Sequence, residues 1–507
     1  MAQIPPTALM GMLRGQPKLD AVKALFDKLN KDLQDNSLTP QERDAALEEL
    51  KIHGRDPSFA DPIFTKEGIE TLTKFAFESS SDNTSRHALR VLCNALFLKA
   101  ETRQIFVDLG CEFKACKKLK SENADDEFLC SRLLLLTTYG TTVDLPKLID
   151  EHGLAASIIQ NLKRHAERLA APPKTNGPAD PMVAMALAET LKLVFNVTNF
   201  AKSHLKSFDD ALPHIASILV NHPPAPAKSP LDSPFSLLIN TLLNLDLTGP
   251  SAQSALFPTA EPPRIMNHLI HLLDLSMKTY KDGDLDQSVS PLVCALAVLY
   301  KNSPPSSSTK DGKKPDTNDE KKAAAPDPKT DVRASVLSKL LPTDEDRKLV
   351  LGKAETLPSR LLRNWTNPLA PQFRNAVASL YFDLSDNDAG RFVENVGYGY
   401  ASGFLFEKGI GMPEDAARKA AEGEASTTYG PSRPVNPITG QFLDEEKFPE
   451  LPKMTDEEKE REAERLFVLF ERLKSTGVMN VENPVAQAVR EGRIQELPSD
   501  HSDSDDD

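Results

Sequence analysis

Cysteine is scarce in this sequence, aromatic side chains are few, and positive charge is in deficit. Five cysteines occur in 507 residues: Cys93, Cys111, Cys116, Cys130 and Cys294. They are odd in number and never spaced CxxC, so they read as reduced thiols, three of them inside apolar helical patterns. The formal net charge of −14 argues against a general nucleic-acid binder, which needs basic surface to neutralise phosphates. It argues equally against adhesion to an anionic membrane. The last seven residues, His501–Asp507, hold four aspartates, so the body is less acidic than the total. No run approaches the 18 apolar residues of a membrane span. The N-terminus, MAQIPPTALMGMLRGQ, lacks a secretory core, and Ala2 stands where myristoylation requires Gly. The expected compartment is the cytosol.

Catalytic signatures are equally thin. Neither a phosphate-cradling GxxxxGK[ST] nor GxSxG is present. VGYGYASG, with Gly397, Gly399 and Gly403, resembles a dinucleotide fingerprint, but no strand precedes it and no βαβ unit surrounds it. Packing of small residues between helices is the expected role. His268 and His271 form HxxH with no further ligand cluster, so they read as solvated helix residues. Acidic runs such as Asp444-Glu445-Glu446 read as a solvated face. No catalytic residue, metal or cofactor is expected.

What the sequence holds in quantity is helix. Leu and Ala dominate an apolar fraction of 40%, and both favour helix. Leu19, Val22, Leu25, Phe26 and Leu29 fall on one helical face. Comparable segments begin near Asp44, Glu67, Asn83, Asp125, Pro181, Asp209, Ser233, Pro263, Ser288, Val332 and Phe373. Helix after helix with no strand signal leaves a bundle or a solenoid.

Repetition favours the solenoid. Asn94 in ALRVLCNALFL, Asn196 in LKLVFNVTNF and Asn244 in INTLLNLDL each follow two apolar residues in a long helix. Thr137 and Asp383 hold the same place in weaker echoes. Two of the spacings approach the ~40–47 residues of armadillo and HEAT units; a loop at Ala171–Pro181 lengthens a third. The fold expected is an all-α, armadillo/HEAT-type right-handed superhelical solenoid over 1–410, with a disordered insertion at 302–331. An extended irregular segment follows at 411–453, then an amphipathic helix at 454–476 and a flexible acidic tail at 477–507. Thr455 and Glu458 make a capping box for that last helix. An amide repeated in one frame reads in two ways. It lines a groove and holds the backbone of a guest chain, or it closes bonds within its own repeat.

Several stretches resemble the synembryn family, in its fungal-type form: ALRVLCNALFLKAETRQIFVDLG (Ala88–Gly110), FVENVGYGYASGFLFEKGI (Phe392–Ile410) and NPITGQFLDEEKFPELPKMTDEEKEREAERLFVLFERL (Asn436–Leu473). FLCSRLLLLTTYG (Phe128–Gly140) and LKLVFNVTNF (Leu191–Phe200) match in style. The resemblance runs in order from about Leu19 to Leu473.

It implies a guanine-nucleotide exchange factor and folding chaperone for G-protein α subunits (Gα), acting by binding and without covalent chemistry. It implies that the C-terminal helix of Gα lies in the concave groove and that the region after the solenoid meets the switch elements. A monomer in the cytoplasm, recruited to the cell cortex by Gα, is expected. Arg90, Asn94, Asn196, Asn240 and Asn244 are the groove candidates; Arg90 also reads as a solvated helix arginine. Phe467 and Phe470 anchor the last helix, on Gα or on the protein's own solenoid. Animal members carry an acidic, kinase-modified run before NP-x-TG. Here AEGEASTTYGPSRPV offers little acid after Ser426 and Thr427, so regulation there is in doubt. Ser502 and Ser504, with Asp505 and Asp507 three residues on, are candidate phosphorylation sites in the tail. On the residues alone, an armadillo-type scaffold or cargo adaptor for a different peptide is the alternative.

Overall fold

The computed structural model describes residues 13–172, 180–224, 226–306, 327–411 and 431–447, with Thr455, Arg461 and Arg465. The chain divides into two units, Met1–Glu446 and Lys447–Asp507. Everything below belongs to the first. The terminal helix at 454–476, with Phe467 and Phe470, and the tail at 477–507, with Ser502 and Ser504, fall outside the described residues, Thr455, Arg461 and Arg465 apart.

Among the described residues there are 22 α-helices, no strand, and one isolated bridge between Val435 and Phe442. The chain starts these helices with side-chain caps. Thr39 closes a capping box with Glu42, Ser81 accepts from the Thr84 amide, and Asn123 accepts from Asp125 and Asp126. Asp180 accepts from Met182 just ahead of Pro181, the first helical position where proline costs least. Each cap satisfies amides that have no partner inside the helix.

Seven helices stack side by side as a ladder: Pro40–His53, Asp82–Leu98, Ala124–Thr137, Pro181–Phe200, Phe235–Asn244, Ser290–Asn302 and Pro371–Leu384. Each packs on the one before and the one after. A second layer backs them: Lys66–Glu78, Cys111–Lys118, Leu154–Ala170, Ala211–Asn221 and Arg264–Thr279. Each of these lies against its neighbouring ladder helix. A hydrophobic core runs unbroken from Val22 to Leu405. Packing of each rung only on its neighbours is the signature of a solenoid, and the all-α solenoid reading holds.

Three local expectations change. Pro181–Phe200 has the length and hydropathy of a membrane-crossing helix, at 20 residues and a mean hydropathy of 1.2, with 56% of it buried. It is the middle rung, and Glu189, Thr190 and Asn196 break its apolar run to bond the preceding rung and its end. The glycines of VGYGYASG do not pack helix on helix. Gly397 caps the Tyr398–Glu407 helix at φ +79°, and no atom lies near where Gly403 would carry a Cβ. His268 is not solvated: its ring lies 5.9 Å from that of Phe235, its Nε2 is buried, and burial holds its pKa below the usual histidine value.

The insertion has ordered edges. Asn302 ends a ladder helix and Asp331 caps Val332–Leu340. Ser306 Oγ donates to Asp331 Oδ2 at 2.6 Å, with both residues buried. Residues 307–326 of it lie outside the described residues. Of the segment expected to be irregular at 411–453, residues 431–447 are described, and they form a turn. In it Asn436 N donates to Gln441 O and Gly440 N to Asn436 O, both at 2.8 Å.

Candidate functional site

The repeated amides lie on the ladder helices, and the structure gives them different employment. Asn244 Nδ2 donates to the Phe195 carbonyl on the preceding rung at 3.0 Å. Asn196 is buried, and its Nδ2 donates to Thr138 Oγ1 at the end of the rung before that, at 2.8 Å. Thr137 is buried and bonds within its own helix. Asp383, the last echo, pairs with Lys301 on the preceding rung at 3.0 Å. The shared frame thus ties rung to rung. Asn94 and Asn240 are half-buried, as Asn244 is. A side-chain amide on a half-exposed ladder position is free to meet a guest backbone.

Arg90, one turn before Asn94, donates Nη2 to Asp125 Oδ1 on the next rung at 2.6 Å. Its neighbour Arg86 grips Asp126 at 2.9 Å. Asp126 is buried, which pushes its carboxyl up. Arg86, Ser121 and Lys118 outweigh that and hold it below the usual range.

On the same rung, Glu127 is buried among His165 Nε2 at 2.9 Å, Thr190 Oγ1 at 2.8 Å and Arg164 at 3.6 Å. Burial again pushes upward, and His165, Thr190 and Arg164 together hold the carboxyl low. Thr190 also meets Ser131 Oγ at 3.2 Å. These bonds join three helices at one buried point. A carboxylate with a lowered folded pKa stabilises above its unfolded value and loses that contribution as pH falls through the folded one. The melting temperature should therefore hold steady at neutral pH and fall once pH drops below the ordinary values of 4.5 for Glu127 and 3.8 for Asp126. Circular dichroism melts at stepped pH check this, and Glu127→Gln should flatten the upper part of that fall.

The ladder face also carries a constellation missed in the sequence. The Arg132 guanidinium lies over the Phe97 ring at 5.6 Å and over the Phe128 ring at 5.8 Å. Its Nη1 donates to Glu189 Oε1 on the following rung at 3.2 Å. Lys192 shares that carboxylate at 2.8 Å. Two cations around one acid leave a net positive centre, while Phe97 is exposed beside it. The available signal was solitary charge in apolar helix: Arg132 in FLCSRLLLLTT and Glu189 with Lys192 in LAETLKLVF. Asn94 lies one turn before Phe97, so the half-buried amide and the stacked arginine flank the same stretch of face.

What this face can do chemically is bind. Stacked aromatic and guanidinium surface, amides and a net positive centre suit an apolar helical or extended guest bearing carboxylate. Among the described residues no group of three or more His, Cys, Asp or Glu is placed to hold a metal.

The profile of the guanine nucleotide exchange factor synembryn family matches residues 46–493. The chaperone Ric-8A of Gallus gallus is 24% identical over 93% of this chain and 89% of its own length. A synembryn-like chaperone of Schizosaccharomyces pombe is 34% identical over 164 residues, 31% of each chain. An engineered protein of known structure overlays with a TM-score of 0.33 at 16% identity, over 57% of this chain and 98% of its own. With a match running through nearly the whole ladder and on past its end, the chain belongs to the synembryn family of guanine-nucleotide exchange factors.

Proposed function

We propose that the ladder face between Arg90 and Asn244 receives the C-terminal helix of a Gα subunit, and that the region after the ladder meets the switch elements of its nucleotide domain. Membership of the synembryn family makes the protein an exchange factor and chaperone for Gα. The match over residues 46–493 is the observation that carries the reading. The half-buried Asn94 and Asn240 and the stacked Arg132 support its placement on the ladder face.

Exchange of this kind needs no catalytic side chain. A binder that prefers nucleotide-free Gα over the GDP-bound form shifts the population towards release. A preference of ~3 kcal/mol weakens nucleotide binding about 150-fold. The emptied, loosened Gα then stays sheltered until GTP binds, so exchange and chaperoning are one act. The protein works as a cytoplasmic monomer, drawn to the cell cortex by Gα.

The test is GDP release from purified Gα, followed by fluorescent nucleotide, together with complex formation on size exclusion. The protein should accelerate release and co-elute with Gα. Unchanged release with no complex would refute the reading. Arg90→Ala combined with Asn94→Ala should weaken the complex about tenfold, in the range of a modest interface contact, with the helical spectrum unchanged. Undiminished binding would remove these two residues from the interface.

A further inference from the structure

Arg347 begins in an unpromising place, the charged run TDEDRKLV, yet it is 1% exposed and among the largest fully buried side chains. Its guanidinium meets carbonyls. Nη1 donates to Gly440 O at 2.7 Å and to Glu394 O at 3.2 Å, and Nη2 to Asn395 O at 3.0 Å. Nε has no partner. Glu394 and Asn395 end the Ala389–Val396 helix, so the cation sits at the carbonyl pole of that helix dipole. Its third carbonyl belongs to the Asn436–Gly440 turn, some 90 residues on. Burial pushes the guanidinium down to about 10, a sign of how fully water is excluded.

The same turn closes over the start of the Tyr398–Glu407 helix. That helix has no side-chain cap. Tyr398 N donates to Pro437 O at 2.7 Å, and Gly399 N to Ile438 O at 2.9 Å. The two backbones touch: a Cβ on Gly397 would lie 2.7 Å from Ile438 O, and one on Gly440 3.0 Å from Gly397 N. Both glycines have positive φ, so neither position admits a side chain without strain. Within the turn, Asn436 Nδ2 donates to Glu446 and Asn436 Oδ1 accepts from Ile438 N. The helix it caps carries Phe406, which is 86% exposed.

We propose that Arg347 is a positioning residue for exchange: it latches the Asn436–Gly440 turn across the start of the Tyr398–Glu407 helix, fixing that helix where the nucleotide domain of Gα is worked upon. The proposal rests on the reading given under Proposed function. The latch is polar and local, while the ladder face lies on other helices. Loosening it therefore slows release from bound Gα and leaves capture of Gα alone.

The test uses the full chain with Arg347→Met, which keeps a long apolar stem and loses the fork, and Arg347→Lys, which keeps the charge with a single donor head. Hydrogen exchange at the Tyr398 and Gly399 amides reads the latch. The maximal GDP-release rate at saturating protein and the half-saturating concentration read its purpose. For Arg347→Met we expect amide exchange at least tenfold faster, a maximal rate at least tenfold lower, and a half-saturating concentration within twofold of wild type. Arg347→Lys should fall between. Asn436→Ala, a change outside the core, should free the same two amides and lower the same rate, which guards against a variant that fails to fold. Unchanged exchange at Tyr398 and Gly399 would overturn the latch. Freed amides with an unchanged maximal rate in Asn436→Ala would overturn the role in exchange. If wild-type protein does not accelerate GDP release, the Gα reading itself falls, and the amide measurement still decides whether Arg347 holds the turn.

Discussion

Glu127→Ala should cost about 3–5 kcal/mol of stability, the range for breaking a buried charged network by removing one partner. The substitution leaves His165, Arg164 and Thr190 facing a cavity where the carboxylate stood, and these three come from two helices. Denaturant melts should show the midpoint falling sharply. Arg90→Ala, measured beside it, should cost under about 1 kcal/mol, because Arg90 and Asp125 are each about 30% exposed and water screens the pair. Both substitutions break an ion pair between helices, and the burial and number of partners separate their expected effects. Equal losses would mean that Glu127 is not the brace its contacts describe. Thr190→Val, which removes one hydroxyl from the same network, should lose about 1–3 kcal/mol.

Phe97→Ala combined with Arg132→Ala should weaken Gα binding about thirtyfold, on the order of 2 kcal/mol, the range of a hot-spot pair. The reason is organisation before the guest arrives. Arg132 is already held between Phe97 and Phe128 and steered by Glu189, so little side-chain entropy is left to lose on binding. Arg132→Lys should recover only part of the affinity, since an ammonium group does not stack as a planar guanidinium does. Fluorescence anisotropy with a labelled peptide of the Gα C-terminal helix measures this directly. Both positions are partly exposed, so thermal melts should shift little. Affinity within twofold of wild type in the double variant would move the binding face elsewhere on the ladder.

Much of the fold was legible because helical periodicity is local. The Leu19–Leu29 face matches a helix that buries Val22, Phe26 and Leu29. The Asn frame marked true rungs, since a repeat places like residues alike. What those amides do was less legible. Asn196 and Asn244 find their partners 58 and 49 residues away, at a distance set by loop lengths that periodicity does not reveal. Arg347 was invisible for a related reason. Nothing in TDEDRK separates a solvated cation from one whose partners are three carbonyls on segments 47 to 93 residues later. Gly397 was noticed for its spacing, and the physical cause of that glycine was the backbone of the Asn436–Gly440 turn lying against it.

The hydrogen bond from Ser306 to Asp331 pins together the two ends of the chain that leaves the sixth rung and returns. The segment between them is tethered at both feet. Doubling its length changes the closing entropy by only about 0.6 kcal/mol. The protein therefore has a port where sequence can be gained or lost by descent while the stacked helices stay as they are.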